Sequence, residues 1–91
     1  MSELKRTVLR HRMLAEVAAG RMQVRIGMQW NLVRKPDEWL SAVEKRTARD
    51  LRPYITHTPT DWDRRPTDAE LTEPGQLLLV AWNDRYGEVQ L

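Results

Sequence analysis

The sequence contains no cysteine and no phenylalanine, only four glycines, and no apolar run near the roughly 18 residues that a membrane-spanning helix needs. Without cysteine there are no disulfides, no thiol nucleophile and no cysteine-ligated zinc, so hydrophobic packing alone must hold a small fold. Any metal site would have to rest on His11, His57 and carboxylates. The glycines, Gly20, Gly27, Gly75 and Gly87, are scattered, which excludes a glycine-rich phosphate loop. The opening stretch MSELKRTVLRHR meets a charge every few residues where an export signal would be continuously apolar. An intracellular, cytoplasmic protein with no membrane contact is therefore expected. What is present is 91 residues, 41% hydrophobic and 31% charged, enough for one core and a single domain over residues 1–91.

The net charge of +2 hides an uneven distribution. Residues 1–35 hold eight Lys/Arg against Glu3 and Glu16, for +6; residues 36–60 balance four against four; residues 61–91 hold three against seven, for −4. A basic surface of that size attracts phosphates whatever their sequence, unless the acidic third of the same chain neutralises it. Twelve of the fifteen cations are Arg, which suits bidentate phosphate or base contacts; an Arg-rich, Lys-poor and Phe-free composition is equally what a high-GC genome produces.

Hydropathy patterning divides the chain into three helices and a set of strands. Residues 3–19 read as a helix capped by Ser2, with Leu9, Met13, Leu14, Val17 and Ala18 on one side and Gly20 as the stop. Over residues 22–32 the period changes to two: Met22, Val24, Ile26, Met28, Trp30 and Leu32 alternate with mostly polar residues, which argues for an extended strand bent at Gly27, with a continued helix as the competitor. Pro36 and Asp37 open a second amphipathic helix over 38–52, burying Trp39, Leu40, Val43 and Leu51 and ended by Pro53. Residues 54–58 form a short strand, 59–68 a polar loop and 69–72 a returning strand. Thr72 then caps a final helix over 73–86 whose buried side is Leu77, Leu78, Ala81 and Trp82, with Gly87 as the stop. A rival reading pairs LLLVAW and EVQL as strands. The expected core is Leu9, Met13, Val17, Trp39, Leu40, Val43, Leu51, Leu77, Leu78 and Trp82.

This order is that of a winged-helix domain. RHRMLAEVAAGRM, then a helix ending in KRTARDLRPYI, then ELTEPGQLLLVAW together resemble the small winged-helix-like proteins of actinobacteria and their phages. In those proteins the Leu-Thr-x-x-Gly step, here Leu71, Thr72 and Gly75, leads out of the second wing strand into the C-terminal helix. The resemblance implies an α+β fold: a compact winged-helix-like domain of three helices with a small antiparallel β-hairpin or sheet. It also implies DNA binding and transcription regulation.

The residues offer two functional readings. In the first, Ser41, Lys45, Arg49 and Arg52 recur at helical spacing on the second helix and point into one major groove of double-stranded DNA, Arg46 flanks them, and Arg6, Arg10 and Arg12 hold phosphates. The competing explanation of that stripe is a solvent face balanced by pairs such as Glu38 with Lys45 or Arg46 with Asp50. In the second, the chain is a protein-interaction module, with Trp62, Arg64 and Arg65 meeting a protein partner from a loop tip that Asp61, Asp63 and Asp68 make ill suited to phosphate. Homodimerisation would serve either. Neither histidine stands at catalytic spacing from a nucleophile, so no enzymatic activity, metal or cofactor is expected.

Overall fold

The computed structural model describes residues 4–36, 38–58 and 66–91. Its first helix, α1 (Val8–Ala18), begins later than the sequence suggests because Thr7 is extended (φ −124°, ψ 160°) and its hydroxyl accepts from the Arg10 amide at 3.0 Å. Ser2, the expected cap, lies outside the described residues. The predicted stop holds. Gly20 adopts φ 76°, its amide donates to the Val17 carbonyl at 3.0 Å, and the Arg21 amide reaches back to the Glu16 carbonyl at 3.0 Å. This is the Schellman arrangement, in which the left-handed residue is nearly free of cost only for glycine.

The alternating segment is extended, as its period of two requires, but it is two strands rather than one. Strand β1 (Met22–Ile26) turns through residues 27–29 and returns as β2 (Trp30–Arg34), with Ile26 opposite Trp30 and Met22 opposite Arg34. The second helix starts neither at Pro36 nor at residue 38. Glu38–Trp39 form a short strand, β3, beside Arg34 and Val33. Helix α2 (Ala42–Leu51) starts only after Ser41, whose hydroxyl accepts from the Glu44 amide while the Glu44 carboxylate accepts from the Ser41 amide. This reciprocal cap outcompetes the start signal at Pro36; Asp37 lies outside the described residues. Two core expectations fall with the shift: Trp39 is 52% exposed and Val43 66%, while Thr47, Ala48 and Leu51 form the buried side.

A 3-10 turn (Arg52–Tyr54), with Pro53 where the helix was expected to stop, leads into β4 (Ile55–His57). Strand β5 (Thr67–Leu71) pairs antiparallel with β4, giving the expected hairpin. Helix α3 (Glu73–Tyr86) has the expected bounds, with Thr72 accepting from the Gly75 amide at 3.2 Å and Gly87 following at φ 88°. The rival strand reading of LLLVAW is thereby excluded.

The fold is α+β, with three helices and one five-stranded antiparallel sheet in the order β3-β2-β1-β5-β4, a larger sheet than the hairpin expected. One face of the sheet and the three helices enclose Met13, Leu14, Val17, Met22, Val24, Leu32, Leu40, Ala48, Leu51, Ile55, Ala69, Leu71 and Trp82. Leu78 is only partly buried, and Leu77 is 65% exposed. The phase of α3 explains this. A Cβ at Gly75 would run into the carbonyl oxygen of Tyr54, so the helix can approach the 3-10 turn only through that position. Leu78, Leu79 and Trp82 then follow on the same side at three-, four- and seven-residue offsets, which turns Leu77 and Ala81 outward. Leu9 is half-buried. No helix among the described residues is long and apolar enough to cross a membrane.

Candidate functional site

Most cations of α1 are used inside the fold. Arg6 Nε donates to His11 Nδ1 at 3.1 Å, and its guanidinium lies 4.2 Å from the centroid of the Tyr86 ring. Arg10 donates to Asp50 Oδ2 at 2.9 Å and to the Lys5 carbonyl at 2.6 Å. Arg12, more than half exposed, has its Nε 3.7 Å from Glu16 Oε1. His11 is fully buried beside Trp82, its Nε2 2.8 Å from Asn83 Oδ1. Because an Arg6 N–H points at Nδ1, that nitrogen is the acceptor, and Nε2 donates to Asn83 Oδ1. His57 bonds Thr67 Oγ1 across the hairpin at 3.0 Å. No group of three or more potential metal ligands occurs among the described residues.

Arg34 ties the fold together. Leu32 lies in the core, and the residue two further along a strand shares its face, so Arg34 points inward. Its Nε and Nη2 meet the two carboxylate oxygens of Glu16 at 2.8 and 3.2 Å, and Nη2 meets Glu44 Oε2 at 2.8 Å. Glu16, at 7% side-chain exposure, thus has a bidentate partner, and α1, β2 and α2 are joined by one guanidinium. The two carboxylates push the Arg34 guanidinium to still stronger basicity, and Arg34 holds Glu44 below the ordinary carboxylate range, assisted by Ser41 against the opposing effect of burial.

The acids of α2 are therefore occupied: Glu44 by Arg34 and Asp50 by Arg10. No ion pair among the described residues involves Lys45, Arg46, Arg49 or Arg52, so the balanced-face explanation of the stripe does not hold within them. Nor does an acid among the described residues 66–91 pair with them; Asp68 pairs instead with Lys35 at 2.8 Å. Ser41 is spent on the helix cap.

Lys45, Arg49 and Arg52 follow one another at four and three residues, which sets them along one flank of α2 with Ala48 below them. Facing that flank are residues 28–32 of the hairpin turn and β2. Strand β3 pairs only with Val33 and Arg34, so the edge of β2 at residues 30–32 opens onto the space between. The result is a groove of about 720 Å³ lined by Met28, Gln29, Trp30, Asn31 and Leu32 on one wall and Lys45, Ala48, Arg49 and Arg52 on the other. Among the described residues its lining holds three cations and no carboxylate. Arg52 stands 5.5 Å from the Trp30 ring centroid; Lys45 and Arg25 stand 5.4 and 5.7 Å from that of Trp39. Arg46 projects from the outer side of the helix.

Of the eight predicted DNA contacts, the structure brings together Lys45, Arg49 and Arg52, leaves Arg46 beside them, and separates Arg6, Arg10, Arg12 and Ser41 from the groove. Trp62, Arg64 and Arg65 lie outside the described residues. Sequence reasoning missed Trp30, Met28 and Asn31 as groove walls, and Glu16 and Arg34 as a buried pair. The parity of Arg34 with Leu32 was the available signal. Comparison with family models, curated proteins and solved structures finds no match.

Proposed function

We propose that this is a small, non-enzymatic DNA-binding regulatory protein of winged-helix type that meets double-stranded DNA with α2. The observation that carries this reading is the set of four cations, Lys45, Arg46 and Arg49 on one ten-residue helix and Arg52 in the 3-10 turn that follows it, where the helix's own acids are taken by Arg34 and Arg10. A phosphate backbone replaces the missing counter-charges, and bound counterions are released as it does so. Antiparallel neighbours β1, β5 and β4, with α2 running through the 3-10 turn directly into β4 and α3 following β5 at Thr72, support the winged-helix comparison. Strands β2 and β3 occupy the interval in which a helix-turn-helix carries its first helix, so α2 is supported by a sheet edge.

The test is titration of a random-sequence duplex with the full chain at several salt concentrations. Binding should weaken by about 0.9 log unit per log unit of salt for each phosphate engaged. Arg49→Glu should weaken it far more than Arg85→Glu, a control on α3 beside Tyr86. Absence of binding at low salt, or binding indifferent to Arg49→Glu, overturns the reading. The interaction-module alternative rests on Trp62, Arg64 and Arg65, which lie outside the described residues; a separate apolar surface, the exposed Leu77 and Val80 of α3 (65% and 56%), would instead give self-association that Leu77→Ser abolishes.

A further inference from the structure

The apolar alternation of residues 22–32 does not end where the core ends. Met22, Val24 and Leu32 are buried, but Ile26 is 45% exposed and Met28, at the apex of the β1–β2 turn, is fully exposed. The turn is held beneath it: the Gly27 amide donates to the Gln29 carbonyl at 3.2 Å, Ile26 faces Trp30 across the ladder, and Asn31 Nδ2 donates to the Gln29 carbonyl at 3.3 Å. A supported backbone thus presents an unsupported apolar side chain. That side chain lines the same groove as Lys45, Arg49 and Arg52.

We propose that the hairpin tip is a wedge, with Met28 inserting between adjacent base pairs of the duplex and Ile26 and Trp30 bracing it, so that the protein bends the DNA it binds. This rests on the DNA-binding reading of α2. Three features support a base step as the occupant. Unbranched or branched aliphatic wedges enter from the minor groove and unstack a step, gaining wrapped contact in return. Among the described residues, the charged side chains of the wall opposite the wedge are all cations, complementary to the phosphates that flank any base step. Ile26 and Met28 alone are far short of the roughly 800 Å² per partner that a stable protein interface buries.

The experiment uses the full chain and a short random-sequence duplex carrying a donor and an acceptor at its ends, with 2-aminopurine at internal positions as a second readout. The wild-type protein should shorten the end-to-end distance and raise 2-aminopurine emission. At protein concentrations that saturate the duplex, Met28→Ala should remove most of both signals, and Met28→Leu should restore them. Arg49→Glu should remove binding itself. Binding without bending, or bending unchanged in Met28→Ala, overturns the wedge and leaves α2 as the DNA-binding element. No binding to any duplex overturns both. A dimer seen by sedimentation velocity without DNA and lost in Met28→Ala would assign the tip to a second copy of the chain and overturn the wedge.

Discussion

Arginines do opposite things on the two sides of this molecule. On the α1 side, Arg6 and Arg10 each end on protein atoms: a histidine nitrogen and a tyrosine ring for the first, a carboxylate and a backbone carbonyl for the second. On the α2 side, Arg49 and Arg52 border a groove whose lining carries no acid among the described residues. In the sequence these are indistinguishable cations at helical spacing. The difference lies in where the acids went: Asp50 turns to α1 and Glu44 to β2, so the fold neutralises its inner cations and leaves Arg49 and Arg52 without an ion pair among the described residues. A charge count therefore says little about a binding face until each carboxylate has been assigned a partner.

The largest test of that division is Arg34, the inner cation shared by two carboxylates. Arg34→Ala leaves Glu16, at 7% side-chain exposure, with only the loose Arg12 contact, and removes the bridge between two helices and a strand. A buried carboxylate stripped of its partner costs roughly 3–5 kcal/mol. Urea unfolding should show a loss in that range, and a loss below about 1 kcal/mol would mean that the cluster is not a fold-defining bridge. Next in size is Gly75→Ala. The added methyl meets the Tyr54 carbonyl, a backbone atom that cannot swing aside, so α3 must lift from the 3-10 turn. Overpacking of this kind costs about 1–3 kcal/mol, against at most a few tenths for Ala81→Gln on the exposed side of the same helix.

Gly75 also shows how much was legible in advance. The Leu71, Thr72, Gly75 step predicted where α3 begins, and Thr72 and Gly87 bound it as expected. Local chemistry of that kind, caps, stops and period-two alternation, is written in short windows of sequence. Rotation of α3 about its axis is not, because it depends on Tyr54, some twenty residues away in the chain, and the expected buried face came out one residue off. The same limit explains Trp39. Leu40 was correctly expected inside, yet its neighbour was assigned to the core by a helical wheel that assumed a start at residue 38, while the Ser41 and Glu44 cap delayed the helix. For the candidate site, the stripe of Lys45, Arg49 and Arg52 was legible from spacing. Its opposite wall was not, because the hairpin that supplies it was read as one strand.

Acid offers a third and smaller test of the inner set. Arg34 holds Glu44 below the ordinary carboxylate range in the folded protein, so the unfolded chain takes up the proton first as pH falls. The stabilisation is fully present above the ordinary carboxylate value and disappears as pH drops through the lowered folded value. Glu44→Gln should accordingly lower the midpoint of urea unfolding at neutral pH and flatten its decline between neutrality and acid. Asp68, held down by Lys35 and then Gln23 but on the exposed surface, should behave differently: Asp68→Asn should leave the acid limb almost unchanged. Equal flattening by both variants would erase the distinction between enclosed and surface pairs.

The smallest expected change in stability is also the one that divides the two sets of arginines most clearly. Arg10 reaches Asp50 from side chains 20% and 39% exposed, so Arg10→Gln should cost about 0.2–1 kcal/mol. Arg49→Gln and Arg46→Gln remove no ion pair among the described residues and should fall within about 0.5 kcal/mol of wild type, with a small gain allowed because mutual repulsion along α2 is relieved. In duplex binding the ranking inverts. Each α2 cation that meets a phosphate contributes about 0.9 to the salt slope, so Arg49→Gln should reduce the slope by about one while Arg10→Gln leaves it unchanged. Stability and salt dependence measured on the same three variants thus form a crossed pair. If Arg10→Gln lowered the slope as much as Arg49→Gln, the cations of α1 would be contacting phosphate despite their partners, and the division by carboxylate assignment would fail.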